Sequence, residues 1–284
     1  MIMTVSDVKK EISDRLVPAV GADEANAMTR VILEDVLRLT PVDIALHPER
    51  TVEDFTVSRL KDIVARVVGG EPLQYVLGHA MFMGLDLKVS PAVLIPRPET
   101  GQLVDMITDR FGTKQDLSVL DLCTGSGCIA IALGRALPFA HVRAVDNSVA
   151  ALAVAEDNAS RLQVKVDFTL EDVLRLQDAS EPLYDIIVSN PPYVAESERK
   201  DMDSRVLDHE PSAALFVPDD NPLVFYRAIS HYALTSLKSS GTLYFEINPL
   251  FADALHDELL SDGWSDVVVL RDYKGLNRFA VCQR

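Results

Sequence analysis

The tetrapeptide Asn190-Pro191-Pro192-Tyr193 combines an amide, two rigid residues and an aromatic ring directly after an apolar segment. The side-chain carbonyl of Asn190 and the backbone carbonyl of Pro191 can accept hydrogen bonds from an NH2 group, and the prolines favour an extended backbone that holds these acceptors in place. Tyr193 offers an aromatic face on which a planar group can stack. A primary amide is a poor nucleophile because its lone pair is delocalised, so an enzyme that methylates it needs such support. A proline-rich turn without a ligand is the alternative interpretation.

A second candidate site is the glycine-containing segment Asp121–Gly127, which precedes the apolar, helix-like stretch Ile129–Leu133. Glycines let the backbone turn sharply and approach a ligand, and a helix N-terminus presents free N–H groups to it. Asp146 ends the next strand candidate, where a carboxylate can accept hydrogen bonds from both ribose hydroxyls. Asp172 and Val173 follow the third strand candidate, where an adenine ring could lie, although a solvated loop aspartate is an equally good interpretation.

The glycine segment alone does not identify its ligand. A phosphate-binding P-loop is excluded because no Lys-Ser or Lys-Thr pair follows the glycines. Gly125-x-Gly127-x-x-Ala130 matches the dinucleotide fingerprint, and Asp146 has the right offset from it. An S-adenosylmethionine site uses the same strand, loop and acidic residue, so both cofactors remain open, beside a tight turn with no ligand.

Strand candidates and helical stretches alternate from about residue 99 onward, which predicts a mostly parallel sheet with helices on both faces. The tetrapeptide then lies beyond the carboxyl end of a central strand, where open α/β sheets bind ligands. One helix is predicted over Ser148–Arg161 with Ser148 as its N-cap, and another from Pro222 to Lys238 with Asn221 as its N-cap. The last two strands are expected to form an antiparallel hairpin. The strand candidates are Ser118–Leu122, His141–Val145, Lys165–Thr169, Tyr184–Ser189, Gly241–Ile247, Asp266–Leu270 and Arg278–Cys282.

The N-terminal part predicts helices that either pack on the rest of the protein or dock a substrate. Thr40-Pro41 forms a helix start, and Gly69-Gly70 ends a helix. Residues 81–96 predict a hairpin or two short strands, including Val93–Ile95, punctuated by prolines that mark a domain linker. Apolar residues recur at helical spacing in three runs, namely Val5, Val8, Ile12 and Leu16; Ala25, Met28, Ile32, Val36 and Leu39; and Leu60, Ile63, Val64 and Val67.

Composition limits the classes of function. The 284 residues are 48% hydrophobic and 25% charged, which is typical of a globular protein of one or two domains. The net charge of −16 argues against nucleic acid as the main substrate and suits a basic protein partner. Three scattered cysteines give no disulfide framework, and six histidines show no metal-ligand spacing. We expect a cytoplasmic protein without a metal or a membrane span.

Several segments together resemble the release-factor glutamine N5-methyltransferase family (PrmC, also called HemK) over nearly the whole chain. Leu94-Ile95-Pro96-Arg97-Pro98-Glu99-Thr100 together with the Asn-Pro-Pro-Tyr tetrapeptide is specific to this family and its ribosomal-protein relatives. The other supporting segments are Glu71–Gly78, the glycine segment, Ala144-Val145-Asp146, His209–Leu215 and Asp272-x-x-Gly275-x-x-Arg278.

The resemblance implies a class I methyltransferase fold: a Rossmann-like, mostly parallel sheet with an antiparallel last strand. It implies a helical substrate-docking domain over residues 1–76, a hairpin linker over 77–98 and a methyltransferase domain over 99–284. The implied cofactor is S-adenosylmethionine, and the implied substrate is the glutamine of the Gly-Gly-Gln motif in class I peptide-chain release factors. A monomer is expected.

The site residues implied by the resemblance fall into three overlapping groups. Asn190, Pro191 and Tyr193 are the catalytic candidates, and Asn190–Tyr193, including Pro192, would bind the substrate amide. The implied cofactor-binding residues are Cys123, Thr124, Gly125, Ser126, Gly127, Asp146, Asp172, Val173 and Asn190.

Three positions depart from the family pattern, which often has Gly at Cys123, Glu at Gly101 and Gly at Asn248. Two related activities remain alternatives. A ribosomal-protein glutamine methyltransferase shares the chemistry, and DNA adenine methyltransferases share Asn-Pro-Pro-Tyr because an exocyclic amine poses a similar problem. A non-enzymatic protein that senses S-adenosylmethionine would not need an intact amide clamp.

Overall fold

The computed structural model describes residues 3–284 and contains eleven α-helices and thirteen strands within that range. The helices are α1 Val5–Val20, α2 Ala22–Leu37, α3 Pro41–Leu46, α4 Asp54–Val68, α5 Leu73–Leu77, α6 Pro98–Phe111, α7 Cys128–Ala136, α8 Val149–Leu162, α9 Ser204–His209, α10 Val224–Ser236 and α11 Ala252–Ser261. The strands are β1 Met3–Thr4, β2 Thr51–Val52, β3 His79–Phe82, β4 Leu85–Lys88, β5 Ser118–Leu122, β6 His141–Asp146, β7 Asp167–Leu170, β8 Tyr184–Ser189, β9 Val194–Ala195, β10 Phe216–Val217, β11 Leu237–Glu246, β12 Asp266–Arg271 and β13 Asn277–Gln283.

The chain divides into two compact units. One contains the chain up to Gly78 together with Ser204–His209, and the other contains His79–Asp203 and Glu210–Arg284. The domain boundaries expected at residues 76 and 98 stay predictions, and residues 1 and 2 of the expected first domain lie outside the described residues.

In the first unit, helices pack around a core formed by their apolar faces. Thr4 and Thr40 each close a capping box with the aspartate three residues later, which confirms the helix start predicted at Thr40-Pro41. The predicted faces of α1 and α4 are buried. The second run of apolar residues predicted to be helical extends two residues beyond the helix. Helix α2 ends at Leu37, and Arg38 adopts a left-handed conformation with φ 55°. Leu39 therefore lies beyond the helix.

The second unit begins with the antiparallel hairpin β3–β4, which confirms one of the two structures expected for residues 81–96. The strand expected at Val93–Ile95 is wrong: this stretch has no regular structure. It follows Ser90-Pro91, and the N–H of Val93 closes a turn onto the carbonyl of Ser90 at 3.0 Å. Prolines lack the N–H that a strand ladder needs, so Pro91 and Pro96 prevent pairing here.

A seven-stranded sheet in the order β12-β13-β11-β8-β5-β6-β7 forms the centre of the second unit. Strands β11, β8, β5, β6 and β7 are parallel, and β13 is antiparallel to both neighbours. Apolar side chains of α6 and α7 pack in one core cluster and those of α10 and α11 in another. This arrangement confirms the predicted fold class, including the antiparallel hairpin of the last two strands. Because the chain proceeds from β5 to β6 in one direction and continues from β8 to β11 in the other, the sheet reverses its strand order between β5 and β8.

Several predicted boundaries in this unit were wrong. Strand β7 begins at Asp167 and not at Lys165, and the helix expected to reach Lys238 ends at Ser236. The helix expected from Pro222 begins at Val224, and Leu223 stands at its N-cap. The side-chain oxygen of Asn221 accepts a hydrogen bond from Arg227 at 3.0 Å and does not cap the helix. Strand β11 begins at Leu237 and not at Gly241, with a register irregularity between Leu237 and Thr242. By contrast, Ser148 is the N-cap of α8, as predicted.

Within residues 3–284, no helix is both long and apolar enough to cross a bilayer.

Asn158 of α8 is a fully buried polar side chain that joins the hairpin to the glycine segment. Its Oδ1 accepts from the backbone N–H of Lys88 at 2.6 Å, and its Nδ2 donates to the carbonyls of Lys88 and Ser126, both at 3.0 Å. One side chain therefore satisfies three backbone groups and fixes the position of the segment that contains Ser126.

Asn158→Ala should lower the free energy of unfolding by about 1–3 kcal/mol, because buried polar groups lose their partners. Glu156→Ala, at an exposed position of the same helix, is the matched control and should have little effect. Urea unfolding followed by circular dichroism measures both. Equal midpoints for the two variants would contradict this role of Asn158.

Candidate functional site

The pairing of β5 with β8 brings the two candidate sites together. Leu122 at the end of β5 is the register partner of Ser189 at the end of β8. The Ser189 hydroxyl donates to the carbonyl of Leu122 at 2.6 Å, so the two strand ends are tied by a buried hydrogen bond. Cys123 and Asn190 are the next residues of each strand. The glycine segment and the Asn-Pro-Pro-Tyr tetrapeptide thus begin side by side at the carboxyl edge of the sheet.

The glycine segment turns through three residues with positive φ: Cys123 at 62°, Gly125 at 55° and Gly127 at 80°. A Cβ at Gly125 would meet nothing within 4 Å, so the missing side chain leaves the backbone open to a ligand. A Cβ at Gly127 would lie 3.0 Å from Ile131 and 3.1 Å from Ala155, so this glycine allows close packing of α7 on α8. The two glycines therefore serve different purposes.

The three departures from the family pattern have structural settings. Cys123 holds a left-handed conformation that glycine adopts without a Cβ penalty, which explains why glycine is common there. A Cβ at Gly101 would lie 3.4 Å from the side chain of Met83, so hairpin packing fills that space. Asn248 donates to the carbonyl of Tyr193 at 3.0 Å and to Glu198 at 2.8 Å, contacts that glycine cannot make.

Asp121, the first residue of the glycine segment, has a fully buried carboxyl group. Its Oδ2 accepts from the hydroxyl of Thr124 at 2.6 Å and from the backbone N–H of Ala130 at 3.2 Å. Its Oδ1 has no hydrogen-bond partner among the residues that the structure describes. Burial, with the nearby charge of Asp146, raises the pKa of Asp121 to about 7 in spite of the two hydrogen bonds.

Asp146 connects the second strand of the site to the glycine segment. Its two oxygens accept from the backbone N–H of Gly125 at 2.8 Å and of Ser148 at 2.9 Å. Burial raises the pKa of Asp146, and the backbone donors oppose that change. A carboxylate has about four lone-pair directions, so capacity remains for hydroxyl donors from a ligand.

Asp172 and Val173 have different surroundings. The side chain of Asp172 accepts from the backbone N–H of Leu174 at 3.0 Å and caps a short 3-10 helix. It is not among the residues that line the main cleft of the second unit, whereas the buried Val173 and its neighbour Glu171 are. The geometry therefore makes Val173 and Glu171 the wall of the cleft on this side.

In the tetrapeptide, Asn190 and Pro192 line the same cleft, and Pro191 and Tyr193 are not among its lining residues. The Tyr193 hydroxyl donates to Glu246 at 3.1 Å, and its backbone N–H donates to the carbonyl of Leu215 at 3.2 Å. Burial and the neighbouring Glu246 raise the pKa of Tyr193, so it stays a neutral phenol. Hydrogen bonds therefore hold Tyr193 both at its hydroxyl and at its backbone.

The cleft, together with the open space at its mouth, has a volume of about 970 Å³. Predicted cofactor residues that line it are Cys123, Thr124, Gly125, Ser126, Asp146, Val173 and Asn190, while Gly127 and Asp172 do not. An open glycine turn, a carboxylate with spare acceptor capacity and a wall that includes the buried Val173 fit a nucleoside.

Five polar residues around the site were not identified from the sequence as parts of it. Arg97 forms an ion pair at 2.5 Å with the buried Glu210, which also accepts from the backbone N–H of Ile95 at 3.2 Å. Leu94–Thr100 and His209–Leu215, two of the segments that carry the family resemblance, are thereby joined, and their joint occurrence was the only sequence signal. Thr100 and Glu246, both buried, lie behind Asn190 and Tyr193. Asn158 was hidden in an ordinary helix pattern.

Two family models match the chain. The Methyltransferase small domain matches residues 100–213, and the PrmC N-terminal domain matches residues 7–78.

Curated relatives named release factor glutamine methyltransferase match nearly the full length. The protein from Bacteroides thetaiotaomicron is 41% identical over 92% of this chain and 94% of its own. The one from Flavobacterium psychrophilum is 35% identical over 97% of this chain and 98% of its own. The one from Coxiella burnetii is 34% identical over 100% of both chains.

Solved structures of lower similarity share the fold. The hMettl16 catalytic domain is 17% identical, with a TM-score of 0.56 over 83% of this chain and 84% of its own. The 16S rRNA N2 G1207 methyltransferase of Thermus thermophilus, solved with AdoMet and guanosine, is 19% identical, with a TM-score of 0.52 over 72% of this chain and 49% of its own. At these identities the likeness establishes a methyltransferase fold only.

The raised pKa of Asp121 predicts a pH dependence of stability. The folded protein keeps a proton on Asp121 up to about pH 7, whereas the ordinary value of 3.8 applies to the unfolded chain. Between these values the folded state binds the extra proton, so the contribution of this group to stability is present below about pH 4 and is lost as the pH rises towards 7. Asp121→Asn should flatten the dependence of the unfolding free energy on pH in that window.

Chemical denaturation at a series of pH values tests this expectation, with Asp109→Asn as an exposed control on α6. If the unfolding free energy falls with rising pH at the same slope in Asp121→Asn and in the unaltered protein, Asp121 does not titrate in that pH window.

Proposed function

The chain belongs to the release factor glutamine methyltransferase family and is an S-adenosylmethionine-dependent methyltransferase, and we propose that it methylates the side-chain amide nitrogen of a glutamine in a peptide-chain release factor. We propose that this glutamine is that of the Gly-Gly-Gln motif, as the family resemblance implies. The observation that carries the proposal is the hydrogen-bonded register of Leu122 with Ser189, which supports a cofactor site and an amide site at adjoining positions.

The cofactor site would consist of the glycine segment, Asp146 and the wall at Val173. Asp146 has acceptor capacity left for ribose hydroxyls, and the open side of Gly125 admits a ligand against the backbone. Glu171 and Val173 form the side of the cleft where an adenine ring would lie. When bound, S-adenosylmethionine supplies the methyl group as an electrophile.

The amide site would consist of Asn190 and Pro191. The NH2 end of the Asn190 side chain lies 3.4 Å from the hydroxyl of Thr100, so its Oδ1 remains to accept from the substrate NH2. The backbone carbonyl of Pro191 would accept the second proton of that NH2. As the substrate nitrogen gains positive charge, both acceptors bind it more strongly, and a preorganised pair needs little reorganisation.

Proton loss needs no dedicated base in the tetrapeptide. A methylated, positively charged amide nitrogen is acidic, so it can release its proton to water or to a nearby acceptor. Tyr193 cannot serve as this base, because its raised pKa keeps it protonated and its hydroxyl donates to Glu246. Its ring would stack on the planar amide.

A release factor, rather than DNA or RNA, suits the charge of this protein. The net charge of −16 repels phosphate backbones and favours a basic protein surface. We propose that the first unit docks the release factor and that the reaction takes place in the cytoplasm. The first unit presents large apolar side chains to solvent, and Phe55 at the start of α4 is 80% exposed.

The proposed function is tested by incubating the protein with methyl-labelled S-adenosylmethionine and, in parallel, purified release factor, ribosomal proteins and DNA. Label in the release factor alone is the expected result. Label only in a ribosomal protein or in DNA would overturn the proposed substrate.

Asn190→Ala should lower kcat/KM for the release factor by about 10²–10³, the effect of deleting one positioned polar group in a transition state. The affinity for S-adenosylmethionine should change much less, because the glycine segment and Asp146 remain. Asn221→Ala, which removes an asparagine outside the cleft, is the control. Single-turnover methyl transfer and calorimetry measure the two effects, and near-normal transfer by Asn190→Ala would mean that another group holds the amide.

Phe55→Ser should raise KM for the release factor by at least about fivefold, the effect of losing about 1 kcal/mol of apolar contact. The values of kcat and of the cofactor Kd should stay unchanged, because the cleft lies in the other unit. Asp62→Ser, at an exposed position of the same helix, controls for a general surface effect. An unchanged KM for Phe55→Ser would remove Phe55 from the docking surface.

A further inference from the structure

Glu246 is a buried carboxylate that the proposed chemistry leaves without a role. It ends β11, next to β8, and is 1% exposed. Two hydroxyls donate to it: Thr100 to Oε2 at 2.7 Å and Tyr193 to Oε1 at 3.1 Å. Burial raises the pKa of Glu246, and the hydrogen bonds from Thr100 and Tyr193 oppose that change by stabilising its carboxylate form.

Thr100 lies between this carboxylate and Asn190. A threonine hydroxyl has one proton and two acceptor lone pairs. Because the proton of Thr100 points to Glu246, the hydroxyl oxygen can only accept on its other side. The Asn190 side chain meets that oxygen at 3.4 Å through Nδ2.

An asparagine side chain can present either its oxygen or its NH2 to a given neighbour. With an acceptor at Thr100, the orientation with NH2 towards Thr100 is favoured and Oδ1 is left for the cleft. Were the amide reversed, an NH2 group would face the NH2 group of a substrate amide, and two donors would meet. The direction of the Thr100 proton therefore decides whether Asn190 can accept from the substrate.

We propose that Thr100 and Glu246 are positioning residues that set the orientation of the Asn190 amide, with Glu246 acting through the Thr100 hydroxyl. This inference rests on the proposed amide methylation and adds two residues to it. Glu246 also accepts from the hydroxyl of Tyr193. It therefore contacts one end of the tetrapeptide directly and the other end, Asn190, through Thr100.

The main test compares Thr100→Val, which keeps the shape and loses the hydroxyl, with Thr100→Ser, which keeps the hydroxyl. Thr100→Val should lower the single-turnover rate about tenfold or more, as loss of one orienting hydrogen bond allows the reversed amide. KM for the release factor and the Kd for S-adenosylmethionine should change less than about threefold, because the variant keeps the contacts that are equally strong in the ground state and the transition state. Thr100→Ser should restore the rate to within about threefold.

Thr108→Val is the matched control on the same helix. The Thr108 hydroxyl donates to the carbonyl of Asp105 and has no link to the site, so this variant should react at the normal rate. A normal rate in Thr100→Val, or a Thr100→Ser variant as slow as Thr100→Val, would overturn the proposal in favour of simple packing.

Glu246→Gln provides a second variant that does not depend on the tolerance of α6 for valine. A glutamine can donate an N–H to Thr100, which frees the threonine proton to point at Asn190 and favours the reversed amide. The rate should fall about tenfold or more, by the same loss of an orienting hydrogen bond. An unchanged rate would overturn the role of the carboxylate.

A double-mutant cycle separates positioning from a general structural effect. Once Asn190 is alanine, no amide remains to be oriented, so adding Thr100→Val should slow the reaction less than about twofold further. A full tenfold further loss would contradict the proposal.

The cycle is measured on the substrate that the unaltered protein methylates. No transfer to the release factor by the unaltered protein counts against the proposed function, whereas additivity in the cycle counts against the positioning.

Discussion

The register of β5 against β8 is the constraint on which the rest of the site depends. These strands lie where the sheet reverses its order, so their carboxyl ends open onto one cleft. The hydrogen bond from Ser189 to Leu122 fixes the two ends at the same level. A shift of one residue would turn the side chains of either strand to the opposite face and separate Asn190 from the glycine segment. The chemistry therefore depends on strand pairing before it depends on any single catalytic group.

Buried polar groups surround this edge and set its geometry. Asp121 binds Thr124 of the glycine segment, Glu246 lies behind the tetrapeptide, and Glu210 holds the segment after the hairpin through Arg97. Each would be costly to bury alone, and hydroxyl, backbone or guanidinium donors offset the cost in part, least completely at Asp121, whose Oδ1 has no partner among the described residues. Their benefit is a set of ligand-facing groups held in one arrangement, which is what transition-state stabilisation requires.

The sequence was most informative where backbone chemistry dictates structure. Glycine adopts left-handed conformations that other residues avoid, and proline has a fixed φ, so a sharp turn and a rigid segment could be predicted directly after the apolar strands. Helix starts were predictable where a side chain caps, as at Thr40, and failed at Asn221, whose oxygen is taken by Arg227. Val93–Ile95 was misread because its apolar character reflects burial in an irregular segment, not pairing.

Long-range polar contacts could not be predicted in the same way. Thr100 and Glu246 are separated by 146 positions and Asn158 and Lys88 by 70, and no local pattern marks either pair. Such pairs depend on which strands become neighbours, and that is decided by the whole sheet. Local sequence patterns thus predicted residues that line the cleft, such as Asp146 and Asn190, and gave no sign of the buried residues Thr100 and Glu246 behind them.

The central claim is that an amide held beside the glycine segment receives the methyl group. The most direct measurement is tandem mass spectrometry of a release factor that has been incubated with this protein and S-adenosylmethionine carrying a deuterated methyl group. The deuterated methyl should appear on the side chain of the glutamine in the Gly-Gly-Gln motif and on no other residue. A label on a lysine, an arginine or the main chain, with that glutamine unmodified, would contradict it.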